Sequence, residues 1–328
     1  MSPAGIDFGD AALEAAIRSG LDSVESMLRA SVKSDYPFIT ETSQHLVAAG
    51  GKRFRPLVVL LASQFGDPGA QGVVPAAVVV ELTHLATLYH DDVMDEASLR
   101  RGAASANSRW GNTVAILTGD FLFARASDIL ADLGPEAVRL QARTFERLVQ
   151  GQIRETVGPD DEDPVEHYLR VVADKTGSLI GTSGRFGAML SGAPDSAVEV
   201  LTRFGERIGV AFQLSDDLLD VMSDSTDSGK TPGTDLREGV PTLPVLLLRR
   251  ESAHENADLL ARLDAGLDED DALAAVVGEL RQHPVMNRAR QVLQEWADDA
   301  RQTLAPLPAV PAKAALDSLC DYVVRRTG

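Results

Sequence analysis

The amino-acid sequence predicts an all-α protein, and three observations support this. Apolar residues recur at three- and four-residue spacing in Ala- and Leu-rich segments from residue 11 almost to the C-terminus, which is typical of amphipathic helices. The period-two alternation of half-buried strands is almost absent. Short groups of Gly, Pro and Asp separate the apolar segments, as helix start and stop signals do.

Turn signals lie at several of the breaks between the predicted helices. Glycine can adopt backbone conformations that end a helix, and proline cannot continue one. The breaks fall at Gly50-Gly51, Asp67-Pro68-Gly69, Gly134-Pro135, Gly158-Pro159, Gly192-Ala193-Pro194 and residues 229–233. In chain order, the helices are predicted over residues 9–33, 36–49, 54–66, 72–96, 108–132, 135–158, 164–173, 176–191, 194–223, 241–251, 254–264, 270–280, 285–304 and 311–327.

The chain is predicted to form a single domain over residues 1–328. Its length alone gives a soft prior of about two domains at about 150 residues each, but no stretch has the composition of an interdomain linker. The most proline-rich stretch, residues 305–311, is too short and too close to the C-terminus to separate two domains. A smaller helical layer after Ser252 is compatible with this prediction.

Composition excludes several classes of protein. The formal net charge is −18, from 31 Lys+Arg and 49 Asp+Glu, whereas a general nucleic-acid-binding protein needs basic residues to replace the counterions of phosphates. Cys320 is the only cysteine, so no intrachain disulfide can form, and we expect a cytoplasmic protein. No signal-peptide core is present near the start. Apolar runs such as 56–62 and 245–248 are far shorter than the roughly 20 residues of a membrane span.

An acidic cluster ends an apolar helix near residue 95. Asp91 and Asp95 lie one turn apart on the same face, with Asp92 beside them and His84 two turns earlier. Carboxylates at a helix C-terminus oppose the helix dipole, and each like-charge pair costs roughly 4 kcal/mol at an effective dielectric constant near 20. A solvated acidic turn is the alternative, but the apolar flanking sequence favours a metal site.

A second acidic cluster lies inside another apolar helix. Asp216 and Asp220 share one face, Asp217 lies beside them, and Gln213 lies one turn before. Oxygen ligands alone indicate a hard cation, and the spacing of a dedicated calcium loop is absent. Because Mg²⁺ usually binds through one or two carboxylates together with substrate phosphates, the two clusters suggest a phosphorylated substrate.

The basic residues of this acidic chain are grouped beside glycines. Glycine lets the backbone approach a phosphate closely, and arginine offers two parallel hydrogen bonds. Any one group is explained as well by a solvated helix start, but all of them together predict a site for two polyphosphates, one bridged by metal and one held by cations. The groups are Gly50-Gly51-Lys52-Arg53-Phe54-Arg55-Pro56, Arg100-Arg101-Gly102, Lys175-Thr176-Gly177 and Gly229-Lys230-Thr231-Pro232-Gly233.

These segments resemble the motifs of the trans-isoprenyl diphosphate synthases, the polyprenyl synthetase family. Residues 50–56 are similar to its GGKRxRP segment, residues 91–95 with Arg100-Arg101 to its first aspartate-rich motif, and residues 212–220 to its second. The resemblance implies a bundle of antiparallel helices around a deep central cavity and a homodimer. It also implies Mg²⁺ as cofactor, with roughly three ions per active site when substrates are bound.

The resemblance further implies roles for individual residues. The implied metal ligands are Asp91, Asp92, Asp95, Asp216, Asp217 and Asp220. Isopentenyl diphosphate would be bound by Lys52, Arg55, His84 and Arg101, with Phe212 packed beside it. The allylic diphosphate would be contacted by Arg100 and by two catalytic lysines, Lys175 and Lys230, with Thr176 and Gln213 lining the reaction zone. One departure from the pattern is Val240, where many family members carry a lysine.

The implied activity is that of a prenyltransferase of isoprenoid biosynthesis. It condenses isopentenyl diphosphate head-to-tail with an allylic diphosphate, by ionisation, condensation and elimination. Metal ions and basic side chains stabilise the departing diphosphate, and an apolar cavity keeps water away from the cation. Side chains upstream of the first motif would set product length, and Thr83, Ala86 and Thr87 are small. We therefore expect a medium- to long-chain all-trans product from a farnesyl or geranylgeranyl primer; a geranylgeranyl diphosphate synthase is the alternative.

Other classes of protein share part of this pattern. Class I terpene cyclases and squalene- or phytoene-type synthases also use acidic motifs and Mg²⁺, but they lack a segment like residues 50–56. A non-catalytic subunit of a heteromeric synthase should have lost motif residues, and this chain keeps nearly all of them. The expected partners are therefore the two diphosphate substrates and a second copy of the chain, with a membrane or carrier receiving a long product, and no nucleic acid.

Overall fold

A computed structural model describes residues 6–222, 232–251 and 256–326. Within these ranges the chain is almost wholly helical, which confirms the all-α prediction. The helices are α1 (Ala11–Ser31), α2 (Pro37–Ala48), α3 (Phe54–Ala62), α4 (Val73–Met94), α5 (Ala106–Trp110), α6 (Asn112–Leu133), α7 (Pro135–Val157), α8 (Pro164–Val172), α9 (Ser178–Leu190), α10 (Asp195–Met222), α11 (Thr234–Arg237), α12 (Leu243–Glu251), α13 (Ala257–Asp264), α14 (Asp270–Gln282), α15 (Val285–Thr303) and α16 (Pro311–Arg325). A 3₁₀ turn follows α3 (Ser63–Phe65), and two short strands are β1 (Leu99–Arg100) and β2 (Ala103–Ala104).

Four elements differ from the prediction, one of them the short helix α11 (Thr234–Arg237), which lies between the predicted helices 194–223 and 241–251. The helix predicted over residues 108–132 is divided into α5 and α6 at Gly111, whose φ of 84° ends α5. The break predicted between residues 173 and 176 is replaced by a π-helical turn, Ala173–Gly177, which joins α8 to α9. The hairpin of β1 and β2 is absent from the prediction because each strand has only two residues. Residues 223, 229–231, 254–255 and 327 of the predicted elements lie outside the described ranges.

Local capping explains where several helices begin. Asp10 accepts a hydrogen bond from the first turn of α1 at 2.7 Å. Asp163 accepts from the N–H groups of Val165 and Glu166 at 3.0 Å at the start of α8, which satisfies two backbone donors that the helix leaves open. Pro164 occupies the first turn of α8, where its missing N–H is not needed.

The chain divides into two compact units, each built from segments that are distant in sequence. The first unit comprises Met1–Phe145, Leu179–Gly205 and Thr303–Ser318. The second comprises Glu146–Ser178, Glu206–Gln302 and Leu319–Gly328. The chain passes from one unit to the other several times, so neither is a contiguous stretch, and the single domain over residues 1–328 stays a prediction.

Helix α4 is the central helix of the first unit. It packs against α1, α3 and α6, and it is buried on nearly all sides over residues 73–89, as expected for a core helix. By length and composition, α4 is the one helix among the described residues that could cross a membrane, but 67% of its most apolar window is buried inside the protein. A search for uninterrupted apolar runs does not identify α4 as a possible membrane span, because Glu81 and His84 lie within the helix.

Helices α4 and α6 approach each other closely at Gly119. A Cβ atom on Gly119 would lie 2.4 Å from His90 Nε2 and 3.1 Å from the Ala86 carbonyl oxygen. The absence of a side chain therefore lets α6 pack against the last turns of α4. His90 Nε2 also lies 3.1 Å from the Ile116 carbonyl oxygen and 3.4 Å from Asp120 Oδ1. These contacts hold the side chain of His90, the residue immediately before the first acidic cluster, in place.

Candidate active site

The first acidic cluster lies at the C-terminal end of α4. Asp91 and Asp92 are in the last turn, and Asp95 follows the helix, its N–H donating to the Asp91 carbonyl at 2.8 Å. Asp95 is exposed, Asp91 is partly buried and Asp92 is fully buried. The end of the helix therefore presents two carboxylates toward solvent and one toward the interior.

The hairpin of β1 and β2 returns the chain to this cluster. Arg101 and Gly102 form its two-residue turn with φ values of 53° and 76°, the left-handed values that a type I′ turn requires. The turn directs Arg100 back to the aspartates, with Nε 2.5 Å from Asp92 Oδ1 and Nη2 3.8 Å from Asp95 Oδ2. Arg100, predicted as a diphosphate ligand, is therefore also the counterion of the buried Asp92.

Four arginines concentrate positive charge around His84 in the first unit. The pKa of His84 is lowered well below its ordinary value, first by burial and then by the charges of Arg55, Arg101, Arg100 and Arg53. His84 is therefore neutral near pH 7, and the surrounding charge favours an anion such as a diphosphate. The structure thus brings together His84, Arg55 and Arg101, three of the predicted ligands of isopentenyl diphosphate.

The glycine-rich loop before α3 wraps around Arg101. Arg101 Nη1 donates to the Leu46 carbonyl at 3.1 Å and to the Gly50 carbonyl. A Cβ on Gly51 would lie 3.1 Å from the guanidinium carbon of Arg101, and Gly51 has a φ of 153°, so both the space and the backbone favour glycine here. Lys52 is exposed on the same loop. This loop is the start of the GGKRFRP segment, so its contacts with Arg101 connect that segment to the hairpin beside the first acidic cluster.

Acidification should destabilise the protein through His84. Since its pKa is lower in the folded chain than in the unfolded chain, the unfolded chain takes up the proton first, and the free energy of unfolding falls as the pH falls below about 6.5. The limiting slope is about 1.4 kcal/mol per pH unit. Urea unfolding at a series of pH values should show this slope in the wild type and lose it in His84→Gln. Equal slopes in the two proteins would contradict the partly buried, arginine-surrounded position of His84.

The second acidic cluster lies in the last turns of α10, in the second unit. A chain of hydrogen bonds ends on the buried Asp217: Thr176 Oγ1 donates to Gln213 Oε1 at 3.2 Å, and Gln213 Nε2 donates to Asp217 Oδ1 at 3.1 Å. The Tyr168 hydroxyl donates to the other oxygen, Asp217 Oδ2. Such a connected network orients each of its members. Thr176, Gln213 and Asp217, all predicted from the sequence, are therefore in one network.

Three other carboxylates lie close enough to Asp217 to affect its charge. Its pKa is raised well above the ordinary value, first by burial and then by the charge of Asp235, with smaller contributions from Asp220 and Glu155. A hydrogen bond with the Leu243 backbone acts in the opposite direction. Such an excess of negative charge is expected where a cation is to be bound.

The other two aspartates of this cluster also contact protein groups. Asp220 accepts hydrogen bonds from the N–H groups of Thr234 and Asp235, each at 3.1 Å, at the start of α11. Asp216 accepts a hydrogen bond from Arg326, which follows the C-terminal helix. The second cluster is thus tied to the protein at each of its three carboxylates.

The π-helical turn between α8 and α9 carries Lys175 and Thr176. Lys175 Nζ lies 2.6 Å from Glu155 Oε2. Single π-helical turns inside helices are frequent at functional sites because they redirect side chains, which agrees with the predicted roles of these two residues. Lys230 lies outside the described residues. Val240, at the family's lysine position, is exposed, and its N–H donates to the Asp235 carbonyl at 2.9 Å.

The donor groups fit a hard divalent cation. Among the described residues, no hydrogen-bond donor reaches the buried Asp92 Oδ2, although buried carboxylate oxygens are normally paired. Within the same part of the chain, no three His, Cys, Asp or Glu side chains already form a metal-binding group. Asp92 faces Arg100, Asp216 faces Arg326, and Asp220 caps α11. The ligand roles of the six aspartates therefore stay predictions.

Comparison with known proteins identifies the family. The polyprenyl synthetase family model matches residues 36–280. The chain belongs to the polyprenyl synthetase family. The nonaprenyl diphosphate synthase of Mycobacterium tuberculosis is 52% identical over 99% of this chain and 98% of that protein. A dimethylallyltranstransferase of the same organism is 40% identical over 99% of each. The crystal structure of a geranylgeranyl pyrophosphate synthase from Corynebacterium glutamicum, complexed with calcium and isoprenyl diphosphate, is 46% identical with a TM-score of 0.88, covering 98% of this chain and 100% of that one.

Membership of the polyprenyl synthetase family confirms three predictions: the resemblance, the all-helical fold and the prenyltransferase class. The family depends on divalent metal ions and uses isopentenyl and allylic diphosphates. A bound divalent ion supplies charge that stabilises the departing diphosphate. In this polyprenyl synthetase, the aspartates at the end of α4 and those at the end of α10 are two separate candidate sets of metal ligands.

Three residues of the site are missing from the sequence prediction. Tyr168 precedes Lys175 by seven residues, two helical turns, and this spacing could have placed it on the same face. Asp235 follows a stretch rich in turn residues, and no pattern associates it with Asp217. Arg326 lies in the basic pair that follows the last predicted apolar positions, where a solvated helix end is the ordinary interpretation.

Proposed function

We propose that this protein is a polyprenyl diphosphate synthase that extends farnesyl or geranylgeranyl diphosphate with isopentenyl diphosphate to a medium- or long-chain all-trans product. The observation that carries the proposal is the end of α4, where aspartates lie beside a group of arginines. Carboxylates can hold a metal-bound diphosphate, and arginines can hold a second diphosphate directly. Two diphosphates in one site are what a condensation of this kind requires.

Each group of residues has a separate task in this reaction. Asp91 and Asp95 would hold a divalent metal ion, which would supply positive charge for the departing allylic diphosphate. Arg55 and Arg101 hold isopentenyl diphosphate by charge-assisted hydrogen bonds, and neutral His84 adds no charge that would have to be desolvated. The departing diphosphate can accept the final proton, so the reaction needs no separate side-chain base.

A cavity of about 350 Å³ in the first unit supports the proposal on product length. It extends along α4 from His90 to Thr83, about 10 Å of helix at 1.5 Å per residue. Phe123 and Phe145 line it, with ring centroids 4.5 Å apart. Such a space beside the first acidic cluster can take an apolar chain. The nonaprenyl diphosphate synthase named above is 52% identical over nearly the whole chain, which also supports a medium- or long-chain product.

Of the three side chains predicted to set product length, Thr83 lines this cavity. Its Oγ1 accepts a hydrogen bond from Gln141 Nε2 and donates to the Val79 carbonyl, both at 2.8 Å. Ala86 is buried where α4 approaches Gly119, and neither it nor Thr87 is among the lining side chains. Roles of Ala86 and Thr87 in product length stay predictions.

Replacing Thr83 by phenylalanine should shorten the product. The larger ring would fill the end of the cavity and stop growth earlier, at an expected stability cost of about 1–3 kcal/mol for overpacking. Thr83→Val is the matched control, because valine keeps the volume but loses the hydrogen bond to Gln141. Mass spectrometry of the products should show a shorter chain for the phenylalanine variant alone. A wild-type product distribution from Thr83→Phe would exclude this cavity as the chain-length determinant.

We further propose that the enzyme is a homodimer. In the first unit, the adjacent residues Ile116 and Leu117 of α6 are both exposed; large apolar side chains exposed together indicate an interaction surface. Leu117→Glu should convert the dimer to a monomer in light scattering, because a carboxylate cannot be buried there unpaired. Val240→Glu changes an exposed apolar residue on a different segment and should leave the dimer intact. A dimeric Leu117→Glu protein would contradict this interface.

A primer series tests the proposed substrates. Purified protein is assayed with labelled isopentenyl diphosphate, Mg²⁺ and each allylic diphosphate in turn, and kcat/KM is compared. We expect farnesyl or geranylgeranyl diphosphate to be preferred over dimethylallyl diphosphate. We also propose that the enzyme is cytoplasmic and that it uses roughly three Mg²⁺ ions. Highest efficiency with dimethylallyl diphosphate would contradict the proposal, and incorporation with none of the primers would support a non-catalytic subunit.

A further inference from the structure

The end of the C-terminal helix α16 is hydrogen-bonded to α10 at the second acidic cluster. The buried Ser215 Oγ donates to the Val323 carbonyl at 2.9 Å. The neighbouring Asp216 Oδ1 accepts a hydrogen bond from Arg326 Nη2. Two adjacent residues of α10 thus contact the end of α16, so packing positions Arg326 even though it is close to the chain terminus.

Arg326 is enclosed by aromatic rings. Its guanidinium carbon lies 4.6 Å from the ring centroid of Phe212 and 5.7 Å from that of Tyr322, within the range of cation–π contacts. The Arg326 side chain is only 8% exposed, whereas Asp216 is 40% exposed. A guanidinium removed from water to this degree requires anionic or acceptor partners, and Asp216 supplies one.

The other terminal nitrogen of Arg326 has no such partner in the part of the chain that the structure describes. Nη1 is buried, and no acceptor among the described residues reaches it. Buried donor groups are normally paired. A diphosphate oxygen matches the two-pronged geometry of a guanidinium, so it is a suitable acceptor for this nitrogen.

We propose that Arg326 is the resting counterion of Asp216, and that its guanidinium moves to a diphosphate oxygen when Asp216 takes up a divalent cation. This proposal rests on the proposed function and on Asp216 being a metal ligand, as the second acidic cluster predicts. The guanidinium and the metal ion compete for the same carboxylate, and their like charges repel each other. Once displaced, Arg326 adds positive charge beside the diphosphate, so metal binding and diphosphate binding favour each other.

Two binding measurements on Arg326→Gln separate this role from a structural one. Without substrate, we expect Mn²⁺, followed by electron paramagnetic resonance, to bind about fivefold more tightly, because the competing charge is gone. With Mg²⁺ present, we expect inorganic pyrophosphate, followed by calorimetry, to bind about tenfold more weakly, because a charge-assisted hydrogen bond is lost. A purely structural contact would weaken both. Unchanged or weaker Mn²⁺ binding, or unchanged pyrophosphate binding, would overturn the proposal.

Two further variants control the measurement. Arg325 is 81% exposed and lies 3.5 Å from Asp321, so Arg325→Gln should leave both affinities at the wild-type value. Arg326→Lys keeps the charge but not the guanidinium fork, so Mn²⁺ affinity should stay at the wild-type value and pyrophosphate affinity should fall about threefold. This variant tests the proposal even if Arg326→Gln does not fold: wild-type pyrophosphate affinity in Arg326→Lys would overturn it.

Asp216→Asn distinguishes failure of this proposal from failure of the proposed function. If Asp216→Asn binds Mn²⁺ as tightly as the wild type, Asp216 is not a ligand, and both the metal role and the role of Arg326 are overturned. If Asp216→Asn loses Mn²⁺ affinity and the wild type transfers prenyl groups, while Arg326→Gln behaves as the wild type, only the role of Arg326 fails.

Discussion

Replacing Asp91 by asparagine is expected to lower kcat about a thousandfold while leaving the fold intact. Asp91 lies in the last turn of α4 and is partly accessible to solvent. The amide keeps the shape of the side chain but not the charge that holds a hard cation. Because the metal acts on charge that develops in the transition state, kcat should fall far more than the KM for isopentenyl diphosphate rises.

Steady-state incorporation of labelled isopentenyl diphosphate measures this effect. Glu96→Gln is the matched control, since Glu96 is an exposed carboxylate just beyond the same helix end, and its kcat should stay within about twofold of the wild type. Circular dichroism and thermal unfolding should be unchanged in both variants. A kcat near the wild-type value in Asp91→Asn would remove the first acidic cluster from the mechanism.

Replacing Glu81 by glutamine is expected to reduce the free energy of unfolding by about 3 kcal/mol. Glu81 is 2% exposed, and its Oε1 lies 2.8 Å from Arg53 Nη1. Arg53 also pairs with Glu25 at 2.9 Å, which limits the loss. Removing the Glu81 charge leaves a largely buried guanidinium with too little compensation. Since Arg53 lies between Lys52 and Arg55 in the sequence, the KM for isopentenyl diphosphate should also rise.

Urea unfolding of the Glu81→Gln variant provides the measurement. Glu14→Gln is the control, because Glu14 pairs with Arg18 at the same 2.8 Å distance, but these side chains are much more exposed, at 35% and 49%. An exposed pair of this kind should contribute about 0.5 kcal/mol or less. Equal losses in the two variants would contradict the importance of burial for the Arg53–Glu81 pair.

The sequence patterns predicted the elements whose signals are local. Helix α4, predicted over residues 72–96, is observed as Val73–Met94, because its apolar periodicity and its acidic end are both contained in one segment. Both acidic clusters were predictable for the same reason. The π-helical turn Ala173–Gly177 was not, because Lys175-Thr176-Gly177 has the composition of a break, and only the packing of the flanking helices keeps the segment helical.

Contacts between distant residues could not be predicted from such patterns. Arg326 pairs with Asp216 across 110 residues, and Tyr168 contacts Asp217 across 49. These pairs depend on how helices pack within a unit, which periodicity does not specify. The sequence therefore predicts which aspartates can bind a cation, whereas the groups that orient them become visible only in the structure.

Mass spectrometry of the product formed by purified protein from farnesyl diphosphate, isopentenyl diphosphate and Mg²⁺ tests the account most directly. We predict an all-trans diphosphate longer than geranylgeranyl diphosphate, which requires both substrates and disappears when the metal is chelated. A product that ends at geranylgeranyl diphosphate or earlier would contradict the role given to the cavity beside Thr83. Absence of any condensation product would contradict the proposed function itself.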